Sequence, residues 1–198
     1  MQSSVTLGYA LCGSFCTLSQ SMQALRQLRQ QYEHIIPIFS EAAASWDTRF
    51  GKAADFVAEA EQICGEKAIL TIPEAEPIGP KRLLDLLIIA PCTGNTMAKL
   101  AAGIADSTVT LACKAHLRNQ RPVLLAVSSN DALSGNAASL GRLLSRKHFY
   151  FVPFAQDSPM GKPESLVADF NRLPAAAHAA LQQRQVQPIL FAHPTIPS

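Results

Sequence analysis

The sequence is short of charge and of aromatic rings. Asp, Glu, Lys and Arg make up 16% of its 198 residues, Phe, Trp and Tyr only 7%, and there is one Trp. Seventeen basic and 15 acidic residues leave a net charge of +2 with no basic block. That balance argues against a nucleic-acid or anionic-membrane partner. No apolar run approaches the ~20 residues of a membrane span. Val5–Leu11 is too short for one, and no positively charged stretch precedes it as in a secretory signal. The five cysteines, at 12, 16, 64, 92 and 113, are odd in number and include no C-x-x-C pair. They read as reduced thiols of a cytoplasmic protein, not as a disulfide framework or a metal site.

Several catalytic signatures are missing too. The dinucleotide pattern G-x-G-x-x-G is absent, and so is the G-x-S-x-G of many hydrolases. Gly8 and Gly13 have the glycine spacing of a phosphate-binding P-loop, but Ser14 stands where that loop needs lysine. The five histidines (34, 116, 148, 178 and 193) show no metal-ligand spacing. Glu74/Glu76 and Asp55/Glu59 read as solvated faces. Chemistry on this chain would come mainly from a cofactor.

What is present is apolar. Hydrophobic residues reach 48% and mean hydropathy is +0.11, so part of the surface is expected to be covered in a homo-oligomer. The length fits one domain over 1–198, with a core from about 4 to 185 and an extended tail over 186–198. Apolar runs of strand length at Val5–Leu11, His34–Phe39, Leu86–Ala90 and Pro122–Val127 alternate with helical spacing. Helices are expected over about Phe15–Tyr32, Lys52–Cys64, Asn95–Ala102, Ser107–Asn119, Gly135–Ser145 and Leu166–Gln185, the last kinked at Pro174. Ala68–Ile72 and Phe149–Phe154 read as two further strands, and Pro37 as an irregularity in its strand or an end of it. Glu41–Gly51 is polar and ambiguous, Pro73–Pro80 is a connection, Lys81–Leu84 is read as a helical turn, and Gln156–Pro163 has loop composition. The pattern predicts an α/β fold, three-layered and Rossmann-like or flavodoxin-like, with a mainly parallel sheet and helices on both faces. Ligands of such folds bind beyond the C-terminal strand ends. The loops to inspect are 12–17, 40–50, 91–96, 128–136 and 155–163, the last a candidate lid.

Two corners stand out. Cys12-Gly-Ser-Phe-Cys-Thr17 combines a glycine, a new helix with free N–H groups, and the hydroxyls of Ser14 and Thr17. These are the parts of an anion site, although an ordinary capped turn has the same composition. Pro91-Cys-Thr-Gly-Asn-Thr96 ends a strand at proline and offers Thr93, Gly94, Asn95 and Thr96 to a ligand. Cys92 at a helix start has the position for a lowered pKa, beside the plainer reading of a small pocket-lining residue. Lys99 is placed to meet an anion or Asp106.

The run Pro91-Cys-Thr-Gly-Asn-Thr-Met-Ala-Lys-Leu-Ala-Ala-Gly-Ile-Ala-Asp106 resembles the P-A-S-A-N-T-x-A-K-x-A-x-G-x-A-D signature of the homo-oligomeric flavin-containing cysteine decarboxylase superfamily. Gly13-Ser14 resembles that family's second FMN element, and Ser40 falls where its phosphate commonly meets a hydroxyl. The resemblance implies FMN as cofactor, with Gly13, Ser14, Phe15, Thr17 and Ser40 toward the phosphate. It implies Pro91, Cys92, Thr93, Gly94, Asn95 and Thr96 along the flavin. The chain departs from the decarboxylases in two places. Glu41–Gly51 carries no histidine, and Val127-Ser-Ser-Asn130 replaces their P-x-M-N clamp, so only Asn130 carries over.

Val5–Thr17, Ala115–Asn119, Ser129–Leu133 and Tyr150–Asp157 are more narrowly similar to a branch of the superfamily that acts as the B subunit of a two-component synthase in sporulating bacteria. That resemblance, over roughly residues 4–170, implies a partner A subunit in the mother-cell cytoplasm. It also implies a small dicarboxylate substrate, oxidised by flavin to pyridine-2,6-dicarboxylate. Asn130, Lys99 and Lys162 are the expected substrate contacts, with Lys114 and Arg118 as further cations. No catalytic side chain is assigned and no metal is expected. A non-catalytic flavin carrier for that partner and an FMN-dependent decarboxylase remain the alternatives.

Overall fold

The computed structural model describes residues 5–191. Seven strands make one sheet: β1 Thr6–Leu11, β2 His34–Phe39, β3 Leu86–Cys92, β4 Val123–Ser129, β5 Phe149–Phe151, β6 Phe154–Ser158 and β7 Lys162–Ala168. Eight helices connect them: α1 Leu18–Arg29, α2 Glu41–Ser45, α3 Ala53–Cys64, α4 Ile72–Ala75, α5 Gly94–Ala102, α6 Thr108–Leu117, α7 Ala137–Leu144 and α8 Leu173–Leu181. The parallel strands run in the order β2-β1-β3-β4-β5, and β7 joins antiparallel to the far end of β4 at Ser128 and Ser129. Helices α1, α3 and α8 pack on one face, and α4, α5, α6 and α7 on the other. The fold is thus mixed α/β with a mostly parallel sheet, as the alternation of apolar runs and helical spacing predicts. Every residue of β3 and β4 is buried, the expected state of central strands covered on both faces.

The chain leaves β1 toward α1 on one face and leaves β3 toward α5 on the other. Adjacent strands whose connections diverge open a crevice at their C-terminal ends. Gly8 sits at the close β1–β3 approach, where a Cβ would lie 2.5 Å from the Leu84 side chain.

Prolines in the strands are accommodated by position. Pro37 is a regular member of β2, not an irregularity in it: β2 is the edge strand, and the Pro37 carbonyl accepts from Ile69 N at 2.9 Å. Its missing N–H therefore leaves no ladder bond unmade. The third apolar run does not stop at Pro91, because β3 continues to Cys92, which pairs with Val127 after a register shift. The shift leaves the Ala90 carbonyl to a side chain. Ser21 Oγ on α1 donates to it at 2.5 Å, and Tyr9 Oη donates to the Ser21 carbonyl at 2.8 Å. A buried polar chain thus ties β1, α1 and the end of β3 together.

Five further expectations fail. Ala68–Ile72 makes a single bridge, Ile38 with Ile69, and is not a strand. Thr71 instead caps α4 in a reciprocal pair with Glu74, which draws Ile72 into the helix. Lys81 and Arg82 end a turn and Leu83–Leu84 runs on without regular structure, so no helical element forms there. Phe149–Phe154 is broken at Val152-Pro153, and Gln156–Pro163 belongs largely to the β6–β7 hairpin. Leu166–Ala168 completes β7, so the last helix is only α8, with Pro174 in its first turn and not at a kink. The described part of the tail passes β6, where Leu190 bridges Phe154; residues 192–198 of the expected tail lie outside the described residues, with His193 among them. No helix among the described residues is long and apolar enough to cross a membrane.

Candidate functional site

Beyond the ends of β1, β3 and β4 lies a cleft of two joined chambers. The inner one, about 300 Å³, is walled by Gly13-Ser14, Thr93-Gly94-Asn95 and Ser128–Asp131. The outer one, about 650 Å³, shares Gly13, Ser14 and Ser128–Asn130. It extends past Phe15 and Cys16 to Arg49-Phe50 and to the β6–β7 hairpin at Asp157 and Lys162–Ser165. All five loops marked from the sequence contribute to its lining.

The inner wall is built from local capping. Thr93 Oγ1 accepts from Thr96 N at 3.1 Å and starts α5, and the Thr96 hydroxyl turns inward to Cys12 Sγ at 3.4 Å. With Thr96 N taken by the cap, the amides of the first turn of α5 and its positive dipole end point at the inner chamber. Ser14 Oγ and Ser128 Oγ lie 2.7 Å apart, and the Thr17 hydroxyl is 3.1 Å from each. Three hydroxyls from β1's loop, α1's start and β4 thus form one cluster. A Cβ at Gly13 would meet nothing nearer than 3.4 Å; the glycine leaves its backbone open to the chamber. The opposite wall is held by Asp131, whose carboxylate accepts from Ser129 Oγ and, at 2.6 Å, from Asn136 Nδ2.

The inner chamber is rich in hydrogen-bond donors and carries one carboxylate. Among its described lining residues Asp131 is the only titratable group, and both its oxygens are engaged. The two buried thiols behind the lining, Cys12 and Cys92, are held toward the protonated form. Burial pushes the Cys12 thiol up to about 11 and raises that of Cys92 well above its ordinary value. The lowered pKa that a helix start would favour at Cys92, the less favoured of its two readings, does not arise, because complete burial outweighs the helix dipole. At the outer mouth, the hydrogen bond and charge of Asp157, 2.8 Å away, hold the Lys162 ammonium above its usual range.

A sequence model of the flavoprotein family matches residues 1–165. The chain belongs to the flavoprotein family. It is 44% identical to the B subunit of dipicolinate synthase from Bacillus subtilis (strain 168) over 184 residues, covering 93% of this chain and 92% of that one. The crystal structure of the dipicolinate synthase B subunit from Bacillus halodurans superposes with a TM-score of 0.87 at 38% identity, over 95% of this chain and 96% of that one. The FMN-dependent cysteine decarboxylase SpaF shares the fold, with a TM-score of 0.64 at 20% identity over 90% and 98% of the two chains.

Within this flavoprotein the cleft brings together Gly13, Ser14, Phe15, Thr93, Gly94, Asn95, Asn130 and Lys162 from the residues singled out in the sequence. The others are turned to partners of their own. Thr17 and Thr96 are buried and bonded within the protein, and Pro91 and Cys92 lie inside β3. Ser40 caps α2, accepting from Ala43 N at 3.3 Å. Lys99 pairs with Asp106 at 2.8 Å, and Lys114 lines a separate small cavity behind α5 and α6. Arg118 packs near Gly79. Residues not singled out include Ser128, Ser129, Asp131, Asn136, Cys16, Arg49 and Phe50. Their signal was position alone: each lies in or beside a loop that follows a strand.

Ser128→Ala tests the hydroxyl cluster. Ser14 and Thr17 keep each other, so the expected cost is about 1 kcal/mol of unfolding free energy. Urea denaturation reads it, and no loss at all would mean that the cluster contributes nothing to holding the corner.

Proposed function

We propose that this flavoprotein holds FMN in the inner chamber and acts as the B subunit of a dipicolinate synthase. With the A subunit of that synthase it would oxidise a dihydrodipicolinate-type precursor to pyridine-2,6-dicarboxylate during sporulation, as a homo-oligomer in the mother-cell cytoplasm. The observation that carries the reading is the inner chamber, a donor-lined cleft at the strand switch point, in a chain 44% identical to a dipicolinate synthase component over nearly its whole length. The residues present suit the cofactor. Gly13 leaves room for close approach, Ser14 and Ser128 offer hydroxyls, and the start of α5 offers N–H groups to an anionic or carbonyl oxygen.

Bound flavin supplies a two-electron acceptor, the chemistry that aromatising a dihydropyridine requires. The chain's own residues position. Thr93 fixes the first turn of α5, Asn95 presents its amide from that turn, and Asp131 holds Ser129 and Asn130 against the same chamber. Cys12 and Cys92 are buried behind the lining, and that burial favours their protonated form.

The test is colour. Purified protein should absorb near ~450 nm, and the absorbance should fall under anaerobic conditions on adding precursor together with the A subunit. Colour without bleaching would make the chain a flavin carrier and remove its redox role. Asn95→Ala should weaken FMN binding by roughly tenfold, the value of one or two lost hydrogen bonds; unchanged affinity would move the flavin away from α5.

A further inference from the structure

The outer chamber presents a cation that the proposed flavin site leaves unused. Asp47–Ala53 lacks helical or strand periodicity in sequence but folds into a locked turn. Thr48 and Gly51 exchange backbone hydrogen bonds of 3.0 and 3.1 Å, Thr48 Oγ1 accepts from Phe50 N at 3.2 Å, and Asp47 Oδ1 accepts from Ala53 N at 2.9 Å. Gly51 adopts φ +145°, and a Cβ there would lie 2.8 Å from the Phe56 ring, so the turn needs glycine on both counts. Arg49 and Phe50 are its apex. The guanidinium carbon stands 4.8 Å from the centre of the Phe50 ring, and both side chains line the outer chamber.

The other charged groups of the lining are engaged within the chain, Lys162 and Asp157 by each other and the two remaining carboxylates by neutral donors. Lys162 pairs with Asp157 at 2.8 Å, Glu164 accepts from Ser134 Oγ at 2.7 Å, and Asp131 accepts from Ser129 and Asn136. Among the described lining residues of the two chambers, Arg49 is the cation without a carboxylate partner. It borders only the outer chamber, whereas the start of α5 at Thr93–Asn95 borders only the inner one.

We propose that Arg49 anchors a carboxylate of a small planar dicarboxylate held in the outer chamber between the turn and Phe15. This rests on the flavin-linked reading above and names the group that recognises the substrate. A guanidinium presents two parallel N–H donors that match a carboxylate in shape as well as charge, and a flat ring suits a chamber lined by Phe15 and Phe50. Lys162 and Lys99, the cations expected from sequence, are already committed to Asp157 and Asp106.

The test uses the FMN-loaded protein and its flavin-free form, titrated by calorimetry with pyridine-2,6-dicarboxylate and with pyridine-2-carboxylate. Arg49→Gln should weaken the dicarboxylate by roughly 30-fold, and Arg49→Lys by roughly fivefold, because a point charge replaces the fork. Lys162→Gln should change it by less than about threefold, as expected for an exposed pair. FMN affinity should stay within about threefold in all three variants. The proposal is overturned if Arg49→Gln binds dicarboxylate like the parent. It is also overturned if that variant loses FMN affinity in equal measure, which would assign Arg49 to the cofactor phosphate. If the parent takes up no flavin, the functional reading fails by itself, while the flavin-free titration still decides the role of Arg49.

Discussion

Gly94→Ala is expected to destabilise the protein by about 2–3 kcal/mol and to release its flavin. Gly94 is the first residue of α5, so backbone freedom is not its reason. Helix propensity alone would favour alanine there by about 1 kcal/mol. Packing decides the sign. A Cβ at this position would lie 2.5 Å from Ser129 Oγ, 2.7 Å from Asn136 Nδ2 and 2.7 Å from Asp131 Oδ1. These three atoms cannot step aside singly, because Asp131 accepts from both of the others. Making room breaks at least one hydrogen bond of a half-buried carboxylate and moves Ser129 and Asn130, the wall of the inner chamber. Gly141→Ala in α7 is the control: nothing lies within 4 Å of its Cβ position, and a gain of up to about 1 kcal/mol is expected. Urea unfolding together with flavin content after gel filtration reads both variants. A Gly94→Ala protein as stable and as yellow as the parent would mean that α5 and the 128–136 loop are not packed as described.

The contrast between those two glycines marks what a sequence read residue by residue reveals. Both are glycines in helices, and nothing in either neighbourhood along the chain says that one faces a polar trio from a distant loop and the other faces solvent. The sheet was legible because its central strands are short and apolar throughout, the mark of burial on both faces. The β6–β7 hairpin was not. Lys162–Glu164 is exposed while Leu166–Ala168 is largely buried, so the strand shows no alternation, and its apolar end merges with the spacing of the helix that follows. Ala68–Ile72 had strand composition, but the Thr71–Glu74 capping pair drew its last residue into α4.

The site shows the same division. Glycine and strand-end position located Gly13, Ser14, Thr93, Gly94 and Asn95, because loops after parallel strands must converge. Spacing did not tell which way a hydroxyl points. Ser40 turns to the first turn of α2, and Thr17 and Thr96 turn into the protein. Lysines were overvalued for a similar reason: Lys99 and Lys162 each have an acid seven or five positions away, Asp106 and Asp157, and both pairs form. Arg49 escaped notice because the turn that displays it is held by hydrogen bonds between polar residues, which leave no periodic trace.

Acid is expected to weaken the fold through one buried histidine. His116 on α6 is buried, and its Nε2 donates to the Pro122 carbonyl at 2.9 Å. Its Nδ1 is also buried and has no hydrogen-bond partner. A proton placed there would be a desolvated charge with nothing to receive it, so burial lowers the folded pKa from 6.5 to about 4, and the nearby Arg121 adds to the effect. Between those values the unfolded chain binds a proton that the folded chain refuses, so stability rises with pH across the window. It is lost as pH falls from about 6.5 toward 4, by about 3 kcal/mol in all. His148, exposed and only mildly lowered, adds little. His116→Leu should flatten this dependence. It removes the titrating group, and the Pro122 carbonyl keeps the Leu87 N–H at 3.2 Å as a partner. Urea unfolding at several pH values between about 7 and 4.5 compares the two proteins. If the leucine variant loses as much stability on acidification as the parent, His116 is not the group that responds, and the acid sensitivity must be sought among the carboxylates.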